Sequence, residues 1–350
     1  MSLSSRSDFV GLFRLAVATS FLAGCNGSPS KSAQIELSVE HVYSIGPEGR
    51  MNDADQVDEH TFGTIGGIAI DSRDNLYVFD RSDNRIASFN AQGEKLGVLQ
   101  LTIGKGPGEV GNVRGFDVDD EGKIVMISRD ARTIYTVDSS GVQNFPIDFS
   151  PTSITLEKDK VFLGRSWFSN DPILNVMDRS RLKESVQIDK HLALVHRPEN
   201  WEEIAATGNV GRYFVNATSI MYAYPIPNML SEISTKDGSI LKQSSTPHAF
   251  DAPFSQRMGS MGRAITSMKQ GIRALTPLRG GFILSVVMDY EKLYADIYDQ
   301  TLAFRGRFDL EKWGISSITD LKTDSEGFVY MLDRSSFPIV KKLEITVSKK

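Results

Sequence analysis

With one cysteine in 350 residues, the chain has no disulfide framework and no cysteine-rich zinc site. No apolar run reaches the roughly 18–20 residues that a transmembrane helix needs. There is no surplus of positive charge either. Thirty-nine Lys and Arg stand against 44 Asp and Glu, a formal net charge of −5, so no nucleic-acid partner is expected. The histidines (His41, His60, His191, His196 and His248) are scattered, and only His191 and His196 lie close enough for a weak metal-ligand pair. Neither a Gly-x-Ser-x-Gly nucleophile elbow nor a His-Glu-x-x-His zinc motif occurs. Gly104-Lys-Gly-Pro-Gly-Glu109 has the glycines of a phosphate loop but not its Lys-Ser/Thr ending, and Pro107 removes an amide donor. It reads as an ordered turn.

What is present is a soluble composition, 40% hydrophobic and 24% charged, typical of a folded body. Ahead of it stands a leader. Arg6 and Arg14 precede the apolar stretch Leu15-Ala-Val-Ala-Thr-Ser-Phe-Leu22, and small residues end at Cys25, the pattern of an export signal. Leu22-Ala-Gly-Cys25 resembles the lipobox of bacterial lipoproteins, although Asp8 is unusual in such a leader. That resemblance implies a signal peptide at 1–24, lipidation of Cys25 and a membrane anchor through it. The small polar residues 25–34 then act as a tether. Asn26 after the cysteine is similar to lipoproteins sorted to an outer membrane, which places the body, 35–350, in the cell envelope.

Residues 67–93 form one complete β unit. Gly67-Ile-Ala-Ile-Asp71 is an inner strand, Leu76-Tyr-Val-Phe79 a second, and Arg85 to Phe89 a third, ending in a hairpin turn at Gly93 before an outer strand. Gly115-Phe-Asp-Val-Asp119 repeats the inner strand 48 residues on. Weaker copies follow at 153–186, 213–244 and 272–308, and a clear sixth begins at Ile318. The sixth copy ends after its third strand, near Ile345, while the N-terminal strand 35–45 has no partner of its own. Both that strand and the outer strand of the first copy lead into an Ile-Gly followed by Pro, Gly and Glu. The N-terminal strand therefore serves as the sixth copy's outer strand and closes a ring. The fold expected is an all-β, six-bladed β-propeller with four-stranded antiparallel blades.

Gly67, Ala69, Asp71, Leu76-Tyr-Val78, Asp80, Asn84-Arg-Ile86, Phe89 and Gly93 resemble the NHL repeat. The chain as a whole is similar to the TolB-like propeller lipoproteins of bacteria. That resemblance implies the fold more than any activity, since propellers host many functions.

Two readings of the function remain open. The first starts from arginines that follow the second strand in four copies: Arg81, Arg129, Arg165 and Arg334. In an antiparallel blade the turn after the second strand shares a face with the crossover between blades. These arginines, with Lys105 and Arg114 from a crossover, would ring one mouth of the channel and favour an anionic small molecule, a glycan or an envelope protein. Alternatively, each pairs with an Asp of a neighbouring blade, such as Asp80, Asp130 or Asp333. The second reading is an enzyme, a lactonase, lyase or glycan hydrolase with calcium or another divalent metal held by Glu109, Asp117, Asp320 and Asn216. No cofactor is expected under the first. Two long crossovers, 187–210 with a helix begun at Pro198 and 245–270 with Arg257 and Arg263, belong to the same face, as do Trp167 and Phe168.

Overall fold

The computed structural model describes residues 35–46, 61–128, 132–138, 140–165, 174–183, 190–192, 211–224, 229–244, 254–258, 264–334 and 338–349. Cys25 and its leader, Arg129, Trp167, Phe168 and the helix expected at Pro198 lie outside them.

The described residues open with β1 (Ile35–Ile45) and then build five four-stranded antiparallel sheets in sequence order. The first blade is β2 (Ile65–Ile70), β3 (Leu76–Asp80), β4 (Arg85–Phe89) and β5 (Lys95–Gln100). The second is β6 (Val113–Val118), β7 (Ile124–Ser128), β8 (Thr133–Asp138) and β9 (Gly141–Pro146). In the third, β10 (Pro151–Glu157), β11 (Lys160–Arg165) and β12 (Leu174–Asp178) are completed by a three-residue β13 (Lys190–Leu192). The fourth is β14 (Arg212–Val215), β15 (Ser219–Ala223), β16 (Leu230–Ser234) and β17 (Ile240–Gln243). A separate hairpin, β18 (Phe254–Met258) and β19 (Ala264–Met268), precedes the fifth blade. That blade is β20 (Gln270–Leu278), β21 (Phe282–Asp289), β22 (Lys292–Tyr298) and β23 (Phe304–Asp309). The sixth joins β24 (Ile318–Thr323), β25 (Val329–Asp333) and β26 (Ile339–Lys349) to β1, in the order β1-β26-β25-β24. The result is a six-bladed β-propeller closed by its N-terminal strand, as the repeat predicts.

Two expectations shift. The outer strand of the third blade, β13, lies inside what reads as a crossover, because Lys-His-Leu is too short to show an alternating pattern. The second crossover is not one loop, since it carries the β18–β19 hairpin.

Burial explains why inner and middle strands read as continuous apolar runs. Every residue of β7, β15 and β25 is buried, because both faces of a blade pack on neighbours. The outer strand β5 instead alternates between half-buried and exposed positions. The core is accordingly divided into interblade layers. Phe79, Ile86, Phe116 and Met126 fill the space between blades one and two, and Met221, Ala223, Ile272 and Val287 that between four and five. Ile68, Val78, Tyr330 and Leu332 do the same between blades six and one.

The turn after an inner strand repeats a chemical device. Asp71 Oδ1 accepts the amides of Arg73 and Asn75, both at 2.9 Å, and Asp119 Oδ1 those of Glu121 and Lys123. Asp324 accepts from Phe328 N at 2.7 Å. Gly122 and Gly327 supply the positive φ that this turn demands, 82° and 83°. In the first blade Asp74 takes that conformation, at φ 62°, and its carboxylate accepts Ser325 N and Oγ of blade six at 2.8 and 2.6 Å.

Closure is reinforced by a buried cation. Lys342 Nζ lies 3.2 Å from Asp324 Oδ2 and donates to Ala91 O of the first blade at 3.0 Å. Around it stand the rings of Phe328, Tyr330 and Tyr43, with centroids at 4.5, 5.0 and 5.7 Å. Removing one member of such a pair leaves the other charge buried. Lys342→Met is therefore expected to lower the unfolding free energy by about 3 kcal/mol in urea titrations. Adding Asp324→Asn should restore part of the loss. A loss below about 1 kcal/mol would show that the pair does not hold the closure.

Candidate functional site

The inner strands lead down the central channel, and their first halves lie at the end where crossovers enter. Five of the six carry a β-bulge there: between Ile65 and Gly67, Val113 and Gly115, Pro151 and Ser153, Ile272 and Ala274, and Ile318 and Asp320. A bulge turns an extra residue out of the ladder and re-aims its side chain. Below these bulges a cavity of about 200 Å³ opens between the inner strands. Its charged lining is Arg114, Arg212, Lys322 and Asp320, accompanied by Phe116 and Tyr213.

Backbone edges of the inner strands have no further strand to pair with, and side chains of neighbouring blades meet them. Asp320 Oδ2 accepts Ile68 N of the first blade at 3.3 Å, and Asp117 Oδ2 accepts Leu156 N of the third at 2.8 Å. Arg212 Nε donates to Arg273 O of the fifth blade at 2.7 Å. Blade one contributes only Gly66 and Gly67 at this height. Side chains from blades six and two therefore approach each other across it: a Cβ on Gly67 would lie 3.6 Å from Asp320 and 3.7 Å from Phe116.

The channel charges perturb one another. Burial pushes the Asp117 carboxyl above the usual aspartate range, against the pull of Lys322 and two backbone amides. Burial alone would depress Lys322, yet Asp117, Asp320 and Tyr213 hold it above the ordinary lysine range, so it stays charged. Burial lowers Arg212 and raises Tyr213. Among the described residues no carboxylate comes within ion-pairing distance of the Lys322 ammonium. By contrast, Lys341 lies 2.8 Å from Asp333 and Lys342 is paired with Asp324.

The arginines singled out by the repeat divide into two kinds. Arg81 Nη2 donates to Val113 O at 3.5 Å, and Arg334 Nη2 donates to Ile65 O. Val113 and Ile65 begin equivalent inner strands, so each arginine ties its blade to the next through a backbone carbonyl and not through an Asp. Asp80 and Asp333 are met by other cations, Arg85 and Lys341. Burial and the charge of Arg81 lower Arg334. Arg165 falls one place earlier in the blade: it pairs with Pro151 where Asp80 pairs with Ile65, and its guanidinium lies 5.0 Å above the Phe149 ring. Arg114 lines the cavity. Lys105 is exposed on the 101–110 loop, where Glu109 Oε2 accepts Gly106 N at 2.6 Å and closes the ordered turn read from the sequence.

The carboxylates and amide considered for a metal are not brought together. Asp117 and Asp320 belong to the channel. Glu109 is engaged in its own loop, and Asn216 lies beside Glu157 and Lys158 in a separate pocket. Among the described residues no three His, Cys, Asp or Glu side chains converge on a common point. Sequence reading missed Arg212, Lys322 and Tyr213 as channel residues. Their signal was positional, since each sits at or beside the repeat position of Gly67 or two residues beyond it.

No family model matches the chain, and no curated protein matches it. Solved structures do. A member of the DUF4221 family from Bacteroides vulgatus is 9% identical with a TM-score of 0.62, covering 91% of this chain and all of its own. An exported protein from Bacteroides fragilis is 11% identical with a TM-score of 0.55, covering 90% and 96%. A virginiamycin B lyase from Staphylococcus aureus, crystallised with quinupristin, is 11% identical with a TM-score of 0.51, covering 89% and 99%. At these identities the likeness is one of fold, and it agrees with the ring built from the strand pairing.

The raised Asp117 pKa has a defined sign. The folded state holds this proton more tightly than the unfolded state, so stability falls as pH rises from the ordinary value near 3.8 through the raised one. Asp117→Asn should abolish that segment of the curve while its side-chain oxygen still accepts from Leu156 N. Urea titrations between pH 3 and 8 on both proteins give the comparison, and parallel curves would rule out the assignment.

Proposed function

We propose that this protein is a lipid-anchored extracytoplasmic propeller that binds a small anionic ligand at the mouth of its central channel. The observation that carries this reading is the Lys322 ammonium. It is charged, lines the cavity and meets no carboxylate among the described residues. Asp117 and Asp320 act on it from beyond ion-pairing distance, so the ammonium itself is left for a ligand anion to meet, and a perturbed group in a cleft is a candidate functional site. Arg114 and Arg212 share the cavity with it, so the local field is positive although the chain is acidic. Arg81 and Arg334 add to the positive mouth while fastening blades together. The anchor is Cys25, set after a leader and before a polar tether, and an outer-membrane position follows from Asn26. A module that binds, and does not transform, its ligand suits a channel whose metal-ligand candidates are dispersed.

Thermal melts at low ionic strength with sulfate, phosphate, acetate and glucuronate, against glucose, test the site. Anions are expected to raise Tm by a few degrees in a saturable way and glucose is not. Lys322→Met should remove the anion effect, whereas an unchanged response in that variant would discard the channel as the site. The anchor is tested separately by fractionation: Cys25→Ser is expected to move the protein from membranes to the soluble fraction. Retention on membranes after that change would refute lipidation at this residue.

A further inference from the structure

The channel cavity holds two groups of opposite charge on one strand. Asp320 and Lys322 stand two residues apart on β24, paired with Leu332 and Tyr330 in an unbroken stretch of ladder, so their side chains leave the same face of the strand. Both line the cavity, and no ion pair joins them. Two residues of extended strand span roughly 7 Å. One sugar-sized molecule bridges that spacing.

Other polar groups of the lining are already engaged. Arg212 Nε donates to Arg273 O at 2.7 Å, and Arg114 has a partner of its own. Ser153 Oγ donates to the Tyr213 hydroxyl at 3.4 Å, and that hydroxyl donates to Phe162 O at 3.3 Å. What remains for a ligand is the Lys322 ammonium, the spare lone pairs of Asp320 and two threonines. Asp320 accepts Leu321 N on Oδ1 at 3.0 Å and Ile68 N on Oδ2 at 3.3 Å, and each carboxylate oxygen has room for a second bond. Thr152 of blade three and Thr319 of blade six are half-buried in the wall, while their Oγ1 atoms are covered and meet no hydrogen-bond partner. A turn about χ1 exchanges methyl for hydroxyl at the cavity surface, so each holds a hydroxyl that a polar ligand would bring out.

These groups define their complement. The ammonium calls for one carboxylate. Asp320 repels a second anionic group beside it and accepts from a hydroxyl. A ligand ammonium in that place would face Arg114, Arg212 and Lys322, and this surplus of positive charge opposes it. The threonines both donate and accept, as sugar hydroxyls do. At about 200 Å³ the cavity is smaller than the roughly 300 Å³ at which pockets for drug-sized ligands begin, and the Phe116 and Tyr213 rings form part of its wall.

We infer that the cavity receives a hydroxylated monocarboxylate, a sugar acid, with its carboxylate on Lys322 and a hydroxyl on Asp320. Thr152 and Thr319 hold further hydroxyls. The inference rests on the anion-binding reading above and narrows it to a ligand class.

Calorimetric titration of the purified protein at low ionic strength tests it, with glucuronate, galacturonate and gluconate against acetate, sulfate and glucose. At least one sugar acid is expected to bind with one site per chain and about tenfold or more tighter than acetate, from the added charge-assisted hydroxyl contact. Asp320→Asn still offers Ile68 N an oxygen but removes a negative charge. It should strengthen acetate and weaken the sugar acid, so that the ratio between them falls severalfold. Thr152→Val and Thr319→Val keep side-chain volume and should lower the same ratio, which keeps the test readable if the Asp320 variant fails to fold. A galacturonate trimer separates two sources of the ligand: binding as tight as the monomer's marks the end of a glycan, and loss of binding marks the free acid. If acetate or sulfate binds as well as the sugar acids, or the ratio survives all three variants, hydroxyl recognition is refuted while anion binding stands. If glucose binds as tightly as glucuronate, or no anion binds, both readings fall.

Discussion

Every feature of this molecule depends on pairing β1 with β26. The two strands run antiparallel from Ile35 opposite Lys349 to Ile45 opposite Val340, with one bulge between His41 and Tyr43. Without this pairing, blade six would have three strands and an open edge, and Ile35, Leu37 and Ile45 of β1 would lose the layers that bury them. A blade cannot bury both faces alone, so stability is shared among interblade layers that exist only when the ring is complete. The channel inherits its geometry from the same constraint. Its walls are strand edges held at fixed spacing by the packing outside them.

That arrangement decides how charge behaves at the axis. Edge amides and carbonyls of the inner strands must be met by side chains from neighbouring blades, and Asp320, Asp117 and Arg212 meet them. Arg81 and Arg334 do the same from the second strand. Most channel charges are thus already committed to holding blades together. Lys322 differs because, among the described residues, neither a carbonyl nor a carboxylate engages its ammonium, which is why the functional reading turns on it and not on the outer arginines.

The architecture was legible because turn chemistry is local. Asp71, Asp119 and Asp324 each close the turn after an inner strand, and their recurrence with Gly122 and Gly327 marks blades one, two and six, from which the weaker copies between them are counted. β13 escaped notice because three residues carry no periodicity. The channel was less legible for a different reason. Arg212 and Lys322 belong to two blades far apart in sequence, and only the ring brings them to one cavity. Which residues of the other inner strands reach it depends on bulges, which the sequence does not announce. Arg165 shows the limit of alignment by residue type, since strand pairing sets it one place away from the arginines it appears to match.

The closing contact also has a consequence for synthesis. β1 is the first described strand of the ring to be made, and β26 the last. Until β26 emerges, an eleven-residue strand with one apolar side has no partner, and the sixth blade cannot form. This is the most non-local pairing in the molecule, and such contacts form late and slowly. Nascent chains therefore pass through a stage in which five blades are available and the first strand remains an exposed, adhesive edge. Protection of that edge, and not the folding of any single blade, sets the demand this protein places on whatever guards unfinished chains.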